Sequence, residues 1–163
     1  MVIRPLEQND IGEVASLMAL GEPYIRVRGQ SDYWLYATLF SSTCLVASDG
    51  AGALVGALLA FRSQDCPDDI YIQDIMIHPD HRRAGIARQL LETVKNRAIA
   101  WGCRRIYLTS EPENVAAHAT WTKLGYINKT SSIVISGVFV TPSFKGPGKD
   151  RAVYELHLIP LRT

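Results

Sequence analysis

Apolar and polar positions along this chain recur in two periods, near two and near 3.6 residues, and the switches between them locate its elements. Val2–Pro5 is a short extended run. Asn9 or Asp10 then stands where a helix N-cap would, ahead of Val14, Leu17, Met18 and Leu20 at helical spacing, and Gly21 closes the run. Asp32 could cap a second helix through Tyr33, Trp34, Tyr36, Leu39 and Phe40, an aromatic group suited to core packing or to walling a pocket. Residues 43–47 and 54–61 are two strand-like runs joined by a turn-rich linker, which predicts a hairpin. The strand 70–77 follows. Across 85–101 the apolar residues Ile86, Leu90, Leu91, Val94, Ala98 and Trp101 repeat with helical spacing, and Gly102 is a C-terminal stop. Residues 105–109 make a short strand, 114–124 a helix ended by Gly125, and 132–140 and 152–158 two last strands around a Gly/Pro-rich loop. The resulting order predicts a mixed α/β sheet with helices on its faces.

Composition narrows the classes. A chain of 163 residues with 47% apolar content suits a single domain over 1–163 with its own core. A formal charge of +1 gives no polyanion-binding character, so no nucleic-acid partner is expected. The longest apolar run, 51–61, falls short of the roughly 20 residues a bilayer requires, and no signal peptide is visible, so no membrane partner is expected. Cys44, Cys66 and Cys103 are odd in number and not spaced as ligand pairs, which argues against a disulfide framework or a metal site and for a reducing cytoplasm.

Charge is uneven where chemistry is expected. Five Asp and no Lys or Arg occupy 65–80, whereas 81–110 hold seven Lys or Arg and one acid, Glu92. At the boundary, Arg82, Arg83 and Arg88 crowd the start of a helix, an end that ordinarily favours acids. Such crowding makes sense if an anion sits there on free backbone N–H groups, with Gly85 allowing close approach and Ala87 keeping the next contact small. A solvated basic turn is the plainer reading of the same residues.

Context decides between them. Arg82-Arg83-Ala84-Gly85-Ile86-Ala87 resembles the Gln/Arg-x-x-Gly-x-Gly/Ala motif of the GCN5-related N-acetyltransferase (GNAT) superfamily, after a strand and opening a helix as that motif requires. Asn114, Ala117 and Leu124-Gly125-Tyr126 resemble its later Asn-x-x-Ala and Gly-aromatic signature. The resemblance implies a central twisted sheet of about seven strands flanked by four helices and splayed between strands 4 and 5, with acetyl-CoA as cofactor. It implies that backbone amides around Arg83, Ala84, Gly85, Ile86, Ala87 and Arg88 hold the pyrophosphate, and that Ile75, Met76 and Ile77 present backbone groups to pantetheine and thioester. Arg82, Thr109, Asn114, Ala117 and Trp121 complete the expected cofactor surface. Dimerisation, common in the superfamily, would use the strands after Tyr126.

Transfer to an alkyl amine, with a pKa near ~10, requires a group to take its proton. Asp74 and Gln73 lie in the central strand, on opposite faces because strand side chains alternate. A carboxylate among Ile70, Ile72 and Met76 is costly unless used, which makes Asp74 an anchor for a cationic amine or a base, directly or through water. Some polyamine and thialysine acetyltransferases of the superfamily carry Glu-Asp there, and Gln73 departs from that pair. The acidic run Asp65, Asp68, Asp69 and Asp74 fits a cationic substrate. Trp121 stands where many members place a tyrosine that protonates the leaving thiolate; indole is no practical acid, and His118, one turn away, is the substitute.

The expected activity is therefore direct acetyl transfer to a primary amine, preferably a small cationic one such as a polyamine or diamino acid. Residues 33–47 also resemble, faintly, the diaminobutyrate acetyltransferases of ectoine synthesis. Two alternatives remain: a protein or peptide N-acetyltransferase, and a catalytically silent acyl-CoA-binding module favoured by Gln73 and Trp121. A dinucleotide fold would need two more glycines in the turn, and neither a nucleotide phosphate loop nor a Gly-x-Ser-x-Gly elbow is present.

Overall fold

The computed structural model describes residues 1–159. Its strands are β1 (Val2–Pro5), β2 (Leu45–Ser48), β3 (Leu54–Arg62), β4 (Asp69–Ile77), β5 (Arg105–Ser110), β6 (Ile127–Asn128), β7 (Ile133–Ile135), β8 (Val138–Val140) and β9 (Ala152–His157). The helices are α1 (Ile11–Ala19), α2 (Gln30–Leu39), α3 (Ile86–Ala100) and α4 (Val115–Lys123). Seven strands form one sheet in the order β1-β2-β3-β4-β5-β9-β6, and β7 and β8 pair separately.

Strand alternation sorts the apolar side chains into two cores, one per face. Leu58, Ala60, Ile70, Ile72, Ile106 and Leu108 pack with Ile86, Leu90, Val94 and Ala98 of α3. Ala57, Leu59 and Met76 pack with Val14, Leu17 and Met18 of α1 and Tyr33 of α2. The first core seats α3 closely. A Cβ at Gly56 would lie 3.0 Å from both Ile77 Cδ1 and Ile86 Cγ2. Gly56→Val is accordingly expected to destabilise the fold by about 1–3 kcal/mol, read as a lower denaturant midpoint at unchanged slope.

Two features of β4 set up the site. It pairs with β5 in parallel only through Asp69↔Arg105, Ile70↔Ile106 and Tyr71↔Tyr107, so the strands part beyond Tyr71, as the splay between strands 4 and 5 requires. Arg105 clamps the joined end, donating from Nε to Asp69 at 3.0 Å and from Nη1 to Glu155 of β9 at 2.7 Å. The second feature is a bulge: Leu59 lies opposite Asp74 and Ala60 opposite Ile72, leaving Gln73 as the extra residue. Alternation is thereby reset. Ile70 and Ile72 belong to the α3 core, whereas Asp74 and Met76 fall on the α1/α2 side with Leu59. Simple alternation of Gln73 and Asp74, and a seat for Asp74 among Ile70 and Ile72, are thus corrected by one inserted residue.

Other departures have local causes. The run 132–140 is two short strands, because Ser136 and Gly137, at φ 50° and 81°, turn it back on itself. The sheet reaches seven through the two-residue β6, whose length gives no periodic signal. Asp32 lies inside α2, not at its cap, and its carboxylate accepts from the Gly29 N–H at 3.0 Å. Thr43 precedes β2, with its hydroxyl donating to the Ala60 carbonyl at 2.6 Å.

Candidate active site

Where β4 and β5 diverge, the facing edges from Ile72 and from Leu108 onward have no strand partner in each other, and a cavity of about 570 Å³ opens. Its walls come from the segment between α1 and α2, from β4 and β5, from α4, and from the loop before β9. Gln73, Asp74, Ile75, Met76, Arg82, Thr109, Asn114, Ala117 and Trp121 are brought together on it.

Arg82 adjoins the start of α3. Arg83 and Gly85 both adopt left-handed backbone, at φ 64° and 77°. The latter suits glycine, and an added Cβ at Gly85 would meet nothing within 4 Å. The Gln89 N–H bonds the Gly85 carbonyl at 3.1 Å, and Gly85 at the N-cap has no side chain to offer, so among the described residues the N–H groups of Ile86, Ala87 and Arg88 are unfilled donors at the positive end of the helix dipole. Ile77, Arg83, Ala84, Gly85, Ile86, Ala87 and Arg88 lie outside the cavity wall itself, continuing from it around this turn.

Asp74 is the buried charge of the site, its side chain 9% exposed. Burial pushes its carboxyl up from 3.8 to about 6, against the opposing pull of Arg28 and of Lys145. Arg28 Nη2 lies 3.5 Å from Asp74 Oδ2. The fully buried Tyr33 positions that arginine by accepting the Arg28 backbone N–H on its hydroxyl at 3.2 Å. Sequence reasoning missed Arg28, because no periodic element contains it and only the fold carries the 21–29 segment over β4.

On α4, Asn114 Oδ1 accepts from the Ala117 N–H at 3.2 Å, so one end of the amide caps the helix and the other remains for a ligand. Trp121 packs edge-on against Tyr126, with ring centroids 5.3 Å apart, and borders the cavity with its remaining surface. His118 turns elsewhere. Its Nδ1 is 2.9 Å from the Tyr154 hydroxyl, and the residue is outside the cavity wall. Asp68 and Asp69 are likewise engaged away from the cavity, with Arg104 at 3.7 Å and with Arg105. The charge that does line the cavity is mostly positive: Arg26, Arg28, Arg82, Lys145, Lys149 and Arg151 against Asp74 and Glu111.

A seven-stranded sheet opened between two parallel strands, with a glycine-started helix at one side of the opening, is the architecture that the resemblance to acetyltransferases implies. Residues 16–126 match the model of the acetyltransferase (GNAT) family, and the chain belongs to that family. It is 30% identical over 102 residues to the L-2,4-diaminobutyric acid acetyltransferase of Chromohalobacter salexigens, a match covering 63% of this chain and 53% of that protein. The chain thus spans about half the length of that curated relative. Among solved structures, the diaminobutyrate acetyltransferase of Paenibacillus lautus, in complex with L-2,4-diaminobutyric acid and coenzyme A, aligns with TM-score 0.74 and 24% identity over 96% of this chain and 93% of that one. Naa20 of Chaetomium thermophilum, in complex with a bisubstrate analogue, aligns with TM-score 0.78 and 20% identity over 97% and 87%. At these identities the structural likenesses speak to the fold.

Proposed function

We propose that this protein transfers an acetyl group from acetyl-CoA to a primary amine of a small diamino acid. One observation carries the reading: the nearly buried Asp74 carboxylate lies on the wall of the cavity opened by the splayed strands, around the corner from the unfilled donors of α3. Residues present suit the cofactor. The left-handed turn at Gly85 and the N–H groups of Ile86, Ala87 and Arg88 would hold a pyrophosphate, with Arg82 beside them. The unpaired edges of β4 and β5 would take the pantetheine amides as a strand takes its neighbour, and the free amide end of Asn114 would meet the arm from α4. When bound, acetyl-CoA supplies the activated acetyl thioester.

The chain's own groups do the rest. Asp74, ionised above about pH 6, binds the acceptor's ammonium and accepts its proton, directly or through water. A β4 backbone N–H beyond the bulge would donate to the acyl carbonyl oxygen and stabilise negative charge there. Trp121 offers packing without acidity, and His118 is spent on Tyr154, so a departing thiolate would take its proton from solvent or the one that the attacking nitrogen loses as it becomes an amide. A silent binding module, favoured by Gln73 and Trp121, makes the opposite forecast.

Thiol release from acetyl-CoA, followed with 2,4-diaminobutyrate and with N-terminal peptides, decides among these readings. Turnover on the diamino acid is expected; coenzyme binding without release on any amine would leave only the silent module. The same reading includes a reducing cytoplasm, consistent with the free thiols of Cys44, Cys66 and Cys103, and a homodimer covering the exposed Ile133, Val134 and Ile135 of the β7–β8 hairpin. Sedimentation analysis tests the dimer.

A further inference from the structure

The charge lining the cavity is the wrong sign for an acceptor that is only a cation. Arg28 is 3.5 Å from Asp74 and Arg151 is 4.0 Å from Glu111, while Arg26, Lys145 and Lys149 have no carboxylate within 4.0 Å among the described residues. Arg82 adjoins α3, where the coenzyme phosphates belong. The other five cations come from the 21–28 segment and the 145–151 loop, and two of them, Arg28 and Lys145, act on Asp74. A plain diamine entering there would meet repulsion from five cations and attraction only from Asp74 and Glu111, each of which already has an arginine beside it.

Two of the five are placed to act on a ligand held at Asp74. Arg28 Nε is buried and has no hydrogen-bond partner among the described residues, although its guanidinium is the charged neighbour of Asp74. Leaving a buried donor of a charged group unpaired is costly, so the site is poised for an acceptor atom that the chain does not supply. The Lys145 ammonium lines the cavity, stands 5.1 Å from the Tyr71 ring centroid, and its field reaches the Asp74 carboxylate. We infer that Arg28 and Lys145 form a carboxylate subsite beside Asp74, so that the acceptor is an amine bearing a carboxylate a few bonds away, and plain diamines and polyamines are rejected. The inference rests on the diamino-acid reading and adds to it the residues that hold the acceptor's carboxylate. It assigns Arg28 two successive tasks: partnering Asp74 in the free protein, and turning its unfilled Nε toward the acceptor's carboxylate when the ammonium takes over Asp74.

Matched pairs test it, each an amino acid against the amine left by removing its carboxyl group: 2,4-diaminobutyrate with 1,3-diaminopropane, ornithine with putrescine, lysine with cadaverine. Thiol release is measured for the wild type, Arg28→Gln and Lys145→Gln. For the best pair, wild-type kcat/KM should favour the amino acid by roughly 10- to 100-fold, the range of a charge-assisted carboxylate contact. Each variant should shrink that ratio about tenfold, chiefly through a higher KM for the amino acid. Wild-type protein that uses the amine as well as its amino acid overturns the subsite while leaving acetyl transfer intact. A variant that lowers both members of a pair equally overturns it too, since Arg28 would then serve only to position Asp74. Should Arg28→Gln fail to fold, Lys145→Gln, on an exposed loop, carries the comparison alone. No turnover on any pair, with coenzyme binding retained, sinks the acetyl-transfer reading instead.

Discussion

Asp74→Asn is expected to lower kcat for acetyl transfer by roughly 10²- to 10⁴-fold, the usual worth of a positioned base, while leaving the fold intact and more stable at neutral pH. Asp74 and Asn have nearly the same shape, so the cavity is preserved. The stability gain follows from burial, which raises the Asp74 carboxyl to about 6 from the 3.8 of an exposed one. Between those two values the folded chain holds a proton that the unfolded chain has lost, so stability falls as pH rises through this window. Above pH 6 the ionised carboxylate is a standing cost on the order of 1–3 kcal/mol, of which the Arg28 partnership already offsets a part. Asn removes the window: melting curves of the variant should be flat between pH 4 and 6 in this respect and higher than wild type at pH 8. Activity has the opposite sign. Wild-type kcat/KM should climb through an acid limb near pH 6, and the variant should lose that limb. A wild-type profile without it, or an unchanged kcat in Asp74→Asn, would remove Asp74 from the chemistry.

Gly85→Asp is expected to raise the KM for acetyl-CoA by about 100-fold with little change in unfolding free energy. The added side chain has room, since nothing lies within 4 Å of a Cβ there. Left-handed backbone at φ 77° costs an L-residue about 1–2 kcal/mol, less for Asp, and a carboxylate near the α3 N-terminus returns some of it. Toward a pyrophosphate the same carboxylate is a like charge. At a separation of ~5 Å and an effective dielectric of ~20, repulsion is about 3 kcal/mol, which sets the expected loss of affinity. Gly85→Ala is the control, carrying the backbone cost without the charge. Equal behaviour of the two variants in coenzyme affinity would place the phosphates elsewhere.

Much of the architecture was legible along the chain because its elements carry strong periodic signals. α3 showed its apolar stripe from Ile86 to Ala98, and the β2–β3 hairpin its turn-rich linker. The arginine-glycine turn was legible as a candidate anion site, since cations at a helix start oppose the helix dipole. The weak signals failed for a physical reason: two-residue β6 is too short to have a period, and the hairpin in 132–140 depends on two left-handed residues, Ser136 and Gly137.

At the site the division is sharper. The sequence by itself determined the family motif, the strand that holds Asp74, and the departure at Trp121. Only the tertiary structure decided which face Asp74 occupies, because the extra residue at Gln73 is a property of the pairing of β3 with β4. Only it placed Asp68 and Asp69 against arginines at the closed end of the splay, and His118 against Tyr154. And only it carried Arg28 and Lys145 to Asp74 from segments 46 and 71 residues away in the chain. Local propensity governs what a stretch becomes; which charges meet inside a cavity depends on contacts between stretches that propensity does not relate.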